Sequence, residues 1–135
     1  TFGGNPAACA LALKNLEIME TENLFQRSKQ LGSQLKQTLT EKLSENPLVG
    51  DVRGKGLLIG IELVKDQQTK EPLANELVNK VIAGCKSKGL LIGKNGATVA
   101  GYNNILTIAP PLNIEQEDLS FIEKIVTEEL NALVK

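Results

Sequence analysis

The run Leu57-Leu58-Ile59-Gly60-Ile61-Glu62-Leu63-Val64 places the tightest limit on how this chain folds. It is rich in strand-forming residues, and Val49 and Val52 carry the same character upstream, so residues 49–65 are expected to be extended. The Arg53-Gly54-Lys55-Gly56 step is expected to mark a bend or bulge between two strands. Just upstream lies a helical pattern with a single apolar face. In residues 22–45, Leu24, Leu31, Leu35, Leu39 and Leu43 recur at multiples of three to four, with Lys, Gln and Glu opposite. Asn46-Pro47 ends that pattern. Such a stripe could fit a partner's groove, but packing on the chain's own sheet is the expected use.

The pattern repeats downstream. Asp66 to Pro72 is a polar connection. Leu73, Leu77, Val78, Val81, Ile82 and Cys85 then fall on one face of a helix that ends near Gly89. Gly89 to Gly93 reads as a short strand, and Lys94 to Gly101 as a loop with Asn95-Gly96 as its turn pair. Residues 104–109 read as a strand stopped by Pro110-Pro111. The last helix is expected over 115–133, with Glu115, Glu117 and Asp118 at the positive end of its dipole. Leu119, Ile122, Val126, Leu130 and Leu133 form its stripe. The whole reads as an α+β unit, a small, mostly antiparallel sheet with helices packed on one face.

The beginning of the chain differs. Asn5-Pro6 is a strong helix start, a capping side chain followed by proline at the first helical position. The helix over 6–20 opens with Ala7, Ala8, Cys9, Ala10, Leu11, Ala12 and Leu13, which offer no polar face, so it should be buried against other protein. Gly3 and Gly4 before it, next to the Thr1 hydroxyl, could help hold an anion, or simply form a turn before a capped helix.

Composition removes several function classes. The chain has 135 residues, a net charge of −1 and no histidine, so the commonest acid/base catalyst and metal ligand is absent. It has no tryptophan and one tyrosine, which argues against a stacking platform for nucleic acid. Cys9 and Cys85 both sit among apolar residues and read as buried small hydrophobes rather than a disulfide or metal pair, a pattern that fits a reducing cytoplasm. No stretch is long and apolar enough to suggest a membrane span. Gly54-Lys55-Gly56 is not a dinucleotide fingerprint, because a strand follows where a phosphate-binding helix is required.

Four segments in order carry a family resemblance. They are Thr1-Phe2-Gly3-Gly4-Asn5-Pro6 with Ala7 to Ala12, Val52 to Leu63, Gly89 to Gly93, and Leu106-Thr107-Ile108-Ala109-Pro110-Pro111-Leu112. The chain thereby resembles the class III aminotransferases, pyridoxal-phosphate enzymes of the acetylornithine, ornithine and 4-aminobutyrate type. The resemblance implies the small C-terminal domain of a fold-type I transferase. Residues 1–21 would be a glycine turn and connecting helix from the large domain, and residues 22–135 the small domain. It implies pyridoxal 5'-phosphate as cofactor, an amino acid and a 2-oxo acid as substrates, and a homodimer in the cytoplasm. The Schiff-base lysine would lie upstream, so the chain alone is expected to be inactive. The lysines here are poor substitutes. Lys14, Lys29, Lys36 and Lys42 lie on helices among polar neighbours, and Lys55 and Lys94 lie in glycine loops.

Two residues are candidates for a site. The resemblance assigns the Thr1 hydroxyl to the cofactor phosphate of the neighbouring subunit, unless Thr1 is merely a chain end. Arg53 has the planar fork that recognises a substrate carboxylate, or it forms a structural ion pair with Asp51, Glu62 or the chain terminus. There is one departure from the family. Many relatives carry an arginine at or near the position of Thr107, whereas no Arg or Lys occurs here from Asn95 to Asn113. The loop from Gly96 to Asn104 would then shape a substrate mouth with backbone and small side chains, or be an ordinary connection. The competing reading is a stand-alone α+β module whose glycine loops hold a small anionic ligand.

Overall fold

The computed structural model describes residues 3–96 and 99–134. Helix α1 (Pro6–Thr21) opens on Asn5, whose Oδ1 accepts from the Ala7 and Ala8 amides at 3.0 and 3.1 Å. At Glu22 and Asn23 the chain turns a corner, with Asn23 in the left-handed region at φ 54°, so the second helix begins later than the pattern predicts. Helix α2 (Leu24–Lys42) is followed by a turn through Asn46 and by strand β1 (Val49–Lys55).

The bend expected over Arg53 to Gly56 begins only at the last residue of that step. Arg53, Gly54 and Lys55 continue β1, and the reversal is the two-residue turn Gly56-Leu57 before β2 (Leu58–Leu63). Gly56, at φ 57°, occupies the first central position that such a tight turn reserves for glycine. The irregularity lies at the other end of the pair, where the register slips between Val49 and Asp51.

Helix α3 (Asn75–Ser87) ends in a glycine cap. Gly89, at φ 86°, donates to the Lys86 carbonyl at 3.0 Å, and Leu90 donates to Cys85 at 2.9 Å. Residues 89 and 90 therefore belong to the helix end, and strand β3 is only Gly93–Lys94, shorter and later than the expected 89–93. Strand β4 (Ile105–Ile108) and helix α4 (Gln116–Ala132) complete the chain.

The four strands form one antiparallel sheet in the order β1-β2-β4-β3. In β2 and β4, Ile59, Ile61, Leu63, Leu106 and Ile108 point to one face and are buried. Helix α2 lies against β1 and β2, and α4 packs against both α2 and α3. Leu31, Leu35, Leu39 and Leu43 join Val78, Val81, Cys85, Ile122, Val126 and Leu130 in the same core. This is the α+β architecture expected from the sequence. Two details differ. Leu77, placed on the buried stripe of α3, is 38% exposed, because Val78, Val81 and Cys85 define the inward line one residue away. Cys9 is exposed, not buried. It shares that state with the whole of α1, which has no buried residue and leaves Leu11 and Leu13 about 70% open.

Candidate functional site

Among the described residues no helix layer covers the opposite face of the sheet, and its polar groups line up across the strands. Arg53 on β1 stands opposite Gly60 on β2, which stands opposite Thr107 on β4. Glycine at position 60 leaves the Arg53 side chain room to lie diagonally towards Glu62. Nη1 of Arg53 donates to Glu62 Oε2 at 2.5 Å and to Asp51 Oδ2 at 2.9 Å. Bonding to Glu62 first, and to Asp51 second, raises the guanidinium above its ordinary pKa. The structure thus brings Arg53 together with both acids named from the sequence. Its charge is engaged, yet it remains about half exposed.

The loop that follows β3 is fastened at its base. Asn95 bonds Ile105 through its own N–H at 2.9 Å, and its Oδ1 accepts from the Ile105 N–H at 2.9 Å. Its Nδ2 donates to the Tyr102 carbonyl at 2.5 Å. The sequence marked Asn95 as half of a turn pair, whereas the structure uses it as a latch. Asn104, 98% buried, donates from Nδ2 to the Leu63 carbonyl at 2.7 Å. Neither role had a sequence signal beyond asparagine's habit of bonding nearby backbone. Lys94 is held by Asn75 and Asn79 on α3, which removes it from any free nucleophile role.

Thr1 lies outside the described residues. The α1 terminus beside it has less to offer an anion than the bare sequence suggested, since the Ala7 and Ala8 amides are already taken by Asn5. The nearest basic residue in sequence is Lys14, which pairs with Glu17. The described start of α1 therefore keeps neither the Ala7 nor the Ala8 amide free for a phosphate. Among the described residues there is no cluster of metal-ligating side chains, and no helix long and apolar enough to cross a membrane. Cys85 is buried, and desolvation pushes its thiol up to about 11.

The family model for aminotransferase class-III matches residues 1–130. This chain belongs to that family. It is 64% identical over 133 residues to the uncharacterized aminotransferase YhxA of Bacillus subtilis, covering 98% of this chain and 29% of the relative. It is 43% identical over 122 residues to the taurine–pyruvate aminotransferase of Bilophila wadsworthia, covering 90% of this chain and 27% of that protein. A crystal structure of a Bacillus anthracis aminotransferase superposes with a TM-score of 0.92 at 60% identity, over 98% of this chain and 29% of that one. The chain thus spans under a third of the length of the relatives it matches. As a class III aminotransferase segment it is α+β, and its sheet and helices are those of solved aminotransferases.

Proposed function

We propose that the chain is the small C-terminal domain of a pyridoxal-phosphate aminotransferase that moves an amino group from an amino acid or ω-amino acid to a 2-oxo acid. The family match over residues 1–130 is the observation that carries this reading. Residues 1–21 would form the connector from the large domain and residues 22–135 the small domain, which fits the absence of any buried residue in α1. The relatives named above are aminotransferases and not separate small-ligand modules. Within the family, the sequence resemblance pointed to acetylornithine, ornithine and 4-aminobutyrate enzymes. The taurine–pyruvate relative favours a donor whose amine sits far from its acid group, and a small 2-oxo acid as acceptor.

The cofactor would be held mainly by the longer protein, which would also supply the Schiff-base lysine. When bound it supplies the electron sink for amino transfer. The Thr1 hydroxyl would donate to its phosphate across a homodimer, in the cytoplasm. Arg53 would meet the substrate's acid group from the open sheet face, in the same cross-strand row as Thr107. An incoming acid group would have to displace Asp51 or Glu62, so Arg53 would act by exchanging one carboxylate for another.

The test uses the full-length protein loaded with pyridoxal phosphate and given pyruvate. Taurine, β-alanine, 4-aminobutyrate and ornithine are supplied in turn, and alanine is measured by chromatography. Alanine production from at least one donor is expected, with none from the 135-residue chain alone. No alanine from any donor would refute the reading. In the same assay, Arg53→Gln should raise KM for the acidic donor while leaving kcat nearly unchanged.

A further inference from the structure

The groove between α2 and the tip of the β1–β2 hairpin encloses about 550 Å³, a size typical of small-molecule sites. Its wall on α2 is one helical face, with Phe25, Ser28, Lys29, Gly32, Ser33 and Lys36 at spacings of three and four. Its wall on the hairpin is Gly54-Lys55-Gly56. Three lysines therefore face one cavity, and no acidic residue lines it.

Among the described residues Lys29, Lys36 and Lys55 make no ion pair, a state they share with Lys70, Lys80, Lys86, Lys94 and Lys124; what sets them apart is that all three line one cavity. The groove at the other end of β1 is different in kind, with Asp51 beside Lys70, and Lys70 already donating to the Gly50 carbonyl. Three like charges around one cavity with no acid in its lining leave a local positive potential that an anion neutralises. The chain's net charge is −1, so this concentration is local and not the result of a generally basic surface.

The geometry also narrows the class of anion. Lys29 and Lys36 are seven residues apart, about 10 Å along the helix axis, so a single small ion would not engage both without strain. Lysine binds phosphate oxygens as a compact point charge, and charges spread along the groove call for an anion that carries more than one. Ser33 adds a hydroxyl, while the glycines are spent on the close crossing of helix and hairpin. Phe25, 56% exposed, offers a ring face at one end of the groove.

We propose that this groove binds a phosphorylated small molecule carrying two or more negative charges, with Lys29, Lys36 and Lys55 as its charge partners. The site does not depend on the aminotransferase reading.

The experiment is calorimetric titration of the full-length, cofactor-loaded protein with pyrophosphate, ATP and adenosine. Loading keeps the probes out of the place where the cofactor's own phosphate would sit. Saturable binding of pyrophosphate and ATP is expected, with adenosine at least tenfold weaker. K55Q alone should weaken binding by roughly tenfold and K29Q/K36Q/K55Q by about a hundredfold, as expected for lost bonds to a charged ligand. K80Q/K86Q/K124Q removes the same charge elsewhere and should bind like the wild type. If ATP binds more tightly than pyrophosphate and Phe25→Ala removes the difference, the ligand is a nucleoside phosphate. Equal affinity identifies the polyphosphate group alone. The proposal is overturned if neither phosphate probe saturates, if adenosine matches ATP, or if the distant lysine variant loses as much as the groove variant.

Discussion

Helix α2 crosses the β1–β2 hairpin at a point that only glycine allows. A Cβ built on Gly32 would lie 1.9 Å from the Gly56 carbonyl oxygen and 2.1 Å from its carbon. Both are backbone atoms, so the hairpin tip would have to retreat by about 1.5 Å to reach an ordinary contact of 3.4 Å. That retreat pulls on Leu57, which is 3% exposed, and on the bond from its N–H to Ser28 Oγ at 3.3 Å. Overpacking of this kind costs about 1–3 kcal/mol, and a lost hydrogen bond about 1 kcal/mol. Alanine's better helix propensity returns about 1 kcal/mol. Gly32→Ala should therefore destabilise by about 2 kcal/mol and lower Tm by about 5–10 °C. Gly84 on α3 is the internal control. Its Cβ would lie 1.8 Å from Glu129 Oε2, an equally short distance but to the end of a side chain. That carboxylate also pairs with Lys88 at 2.9 Å, so swinging aside gives up one ion pair while Lys88 keeps its bond to Glu128 at 2.8 Å. The lost pair offsets the helix-propensity gain of up to about 1 kcal/mol, and Gly84→Ala should be close to neutral. Urea unfolding and differential scanning calorimetry of both variants decide the matter. Equal stability of Gly32→Ala and wild type, or a larger loss in Gly84→Ala, would refute the backbone-contact argument.

Other expectations concern charge, thiols and the cofactor. Bonding to Lys88 lowers the Glu128 pKa below its ordinary 4.5, so the stability it brings is present above that value and is lost as pH falls through the lowered one. Lys88→Gln should flatten that part of the acid limb when urea midpoints are compared between about pH 3 and 6, and an unchanged limb would exclude the pair as a contributor. In the 135-residue chain, a thiol reagent at neutral pH should modify Cys9 quickly. Cys85, buried and with its thiol pushed up to about 11, should react only on unfolding, and two fast thiols in the folded chain would contradict this. In the full-length protein, Thr1→Ala should weaken cofactor retention about ten- to a hundredfold, the worth of one bond to a charged phosphate. A mixed dimer pairing a lysine-less subunit with a threonine-less one should hold cofactor normally at the lysine-bearing site, and weak binding there would remove the cross-subunit role.

The sequence revealed the sheet's centre and the helices best, because their burial follows simple periods. Leu31, Leu35 and Leu39 recur at every fourth position and all are buried, and the strand-type runs at 57–64 and 104–109 pair with each other. It misled where glycine chemistry decides an end. Gly89 looks like the start of a strand, but its positive φ closes α3, and nothing in hydrophobic spacing separates the two. Arg53 to Gly56 reads as a bend or bulge between two strands, whereas of its two glycines only Gly56 takes the positive φ and enters the turn. For Arg53 a structural pair with Asp51, Glu62 or the chain terminus is one of the two readings its sequence allows, while its position opposite Gly60 needs the register. The lysine groove was invisible, because Lys55 and the α2 lysines are some twenty residues apart and meet only through the Gly32–Gly56 crossing.

The fastening around the 96–103 loop has an evolutionary consequence. Asn95 and Ile105 close a ring of backbone and side-chain bonds, and Asn104 is bolted to Leu63 by two more, of 2.7 and 2.8 Å. Length changes inside that ring cost only loop entropy, about 0.6 kcal/mol for each doubling. Tyr102, whose carbonyl holds the latch, and Asn103, whose Oδ1 is buried, belong to the fastening. Residues between Asn95 and Tyr102 can be exchanged, lengthened or recoloured with charge at that entropic cost. Variation that alters what the protein meets is thereby uncoupled from variation that would unfold it.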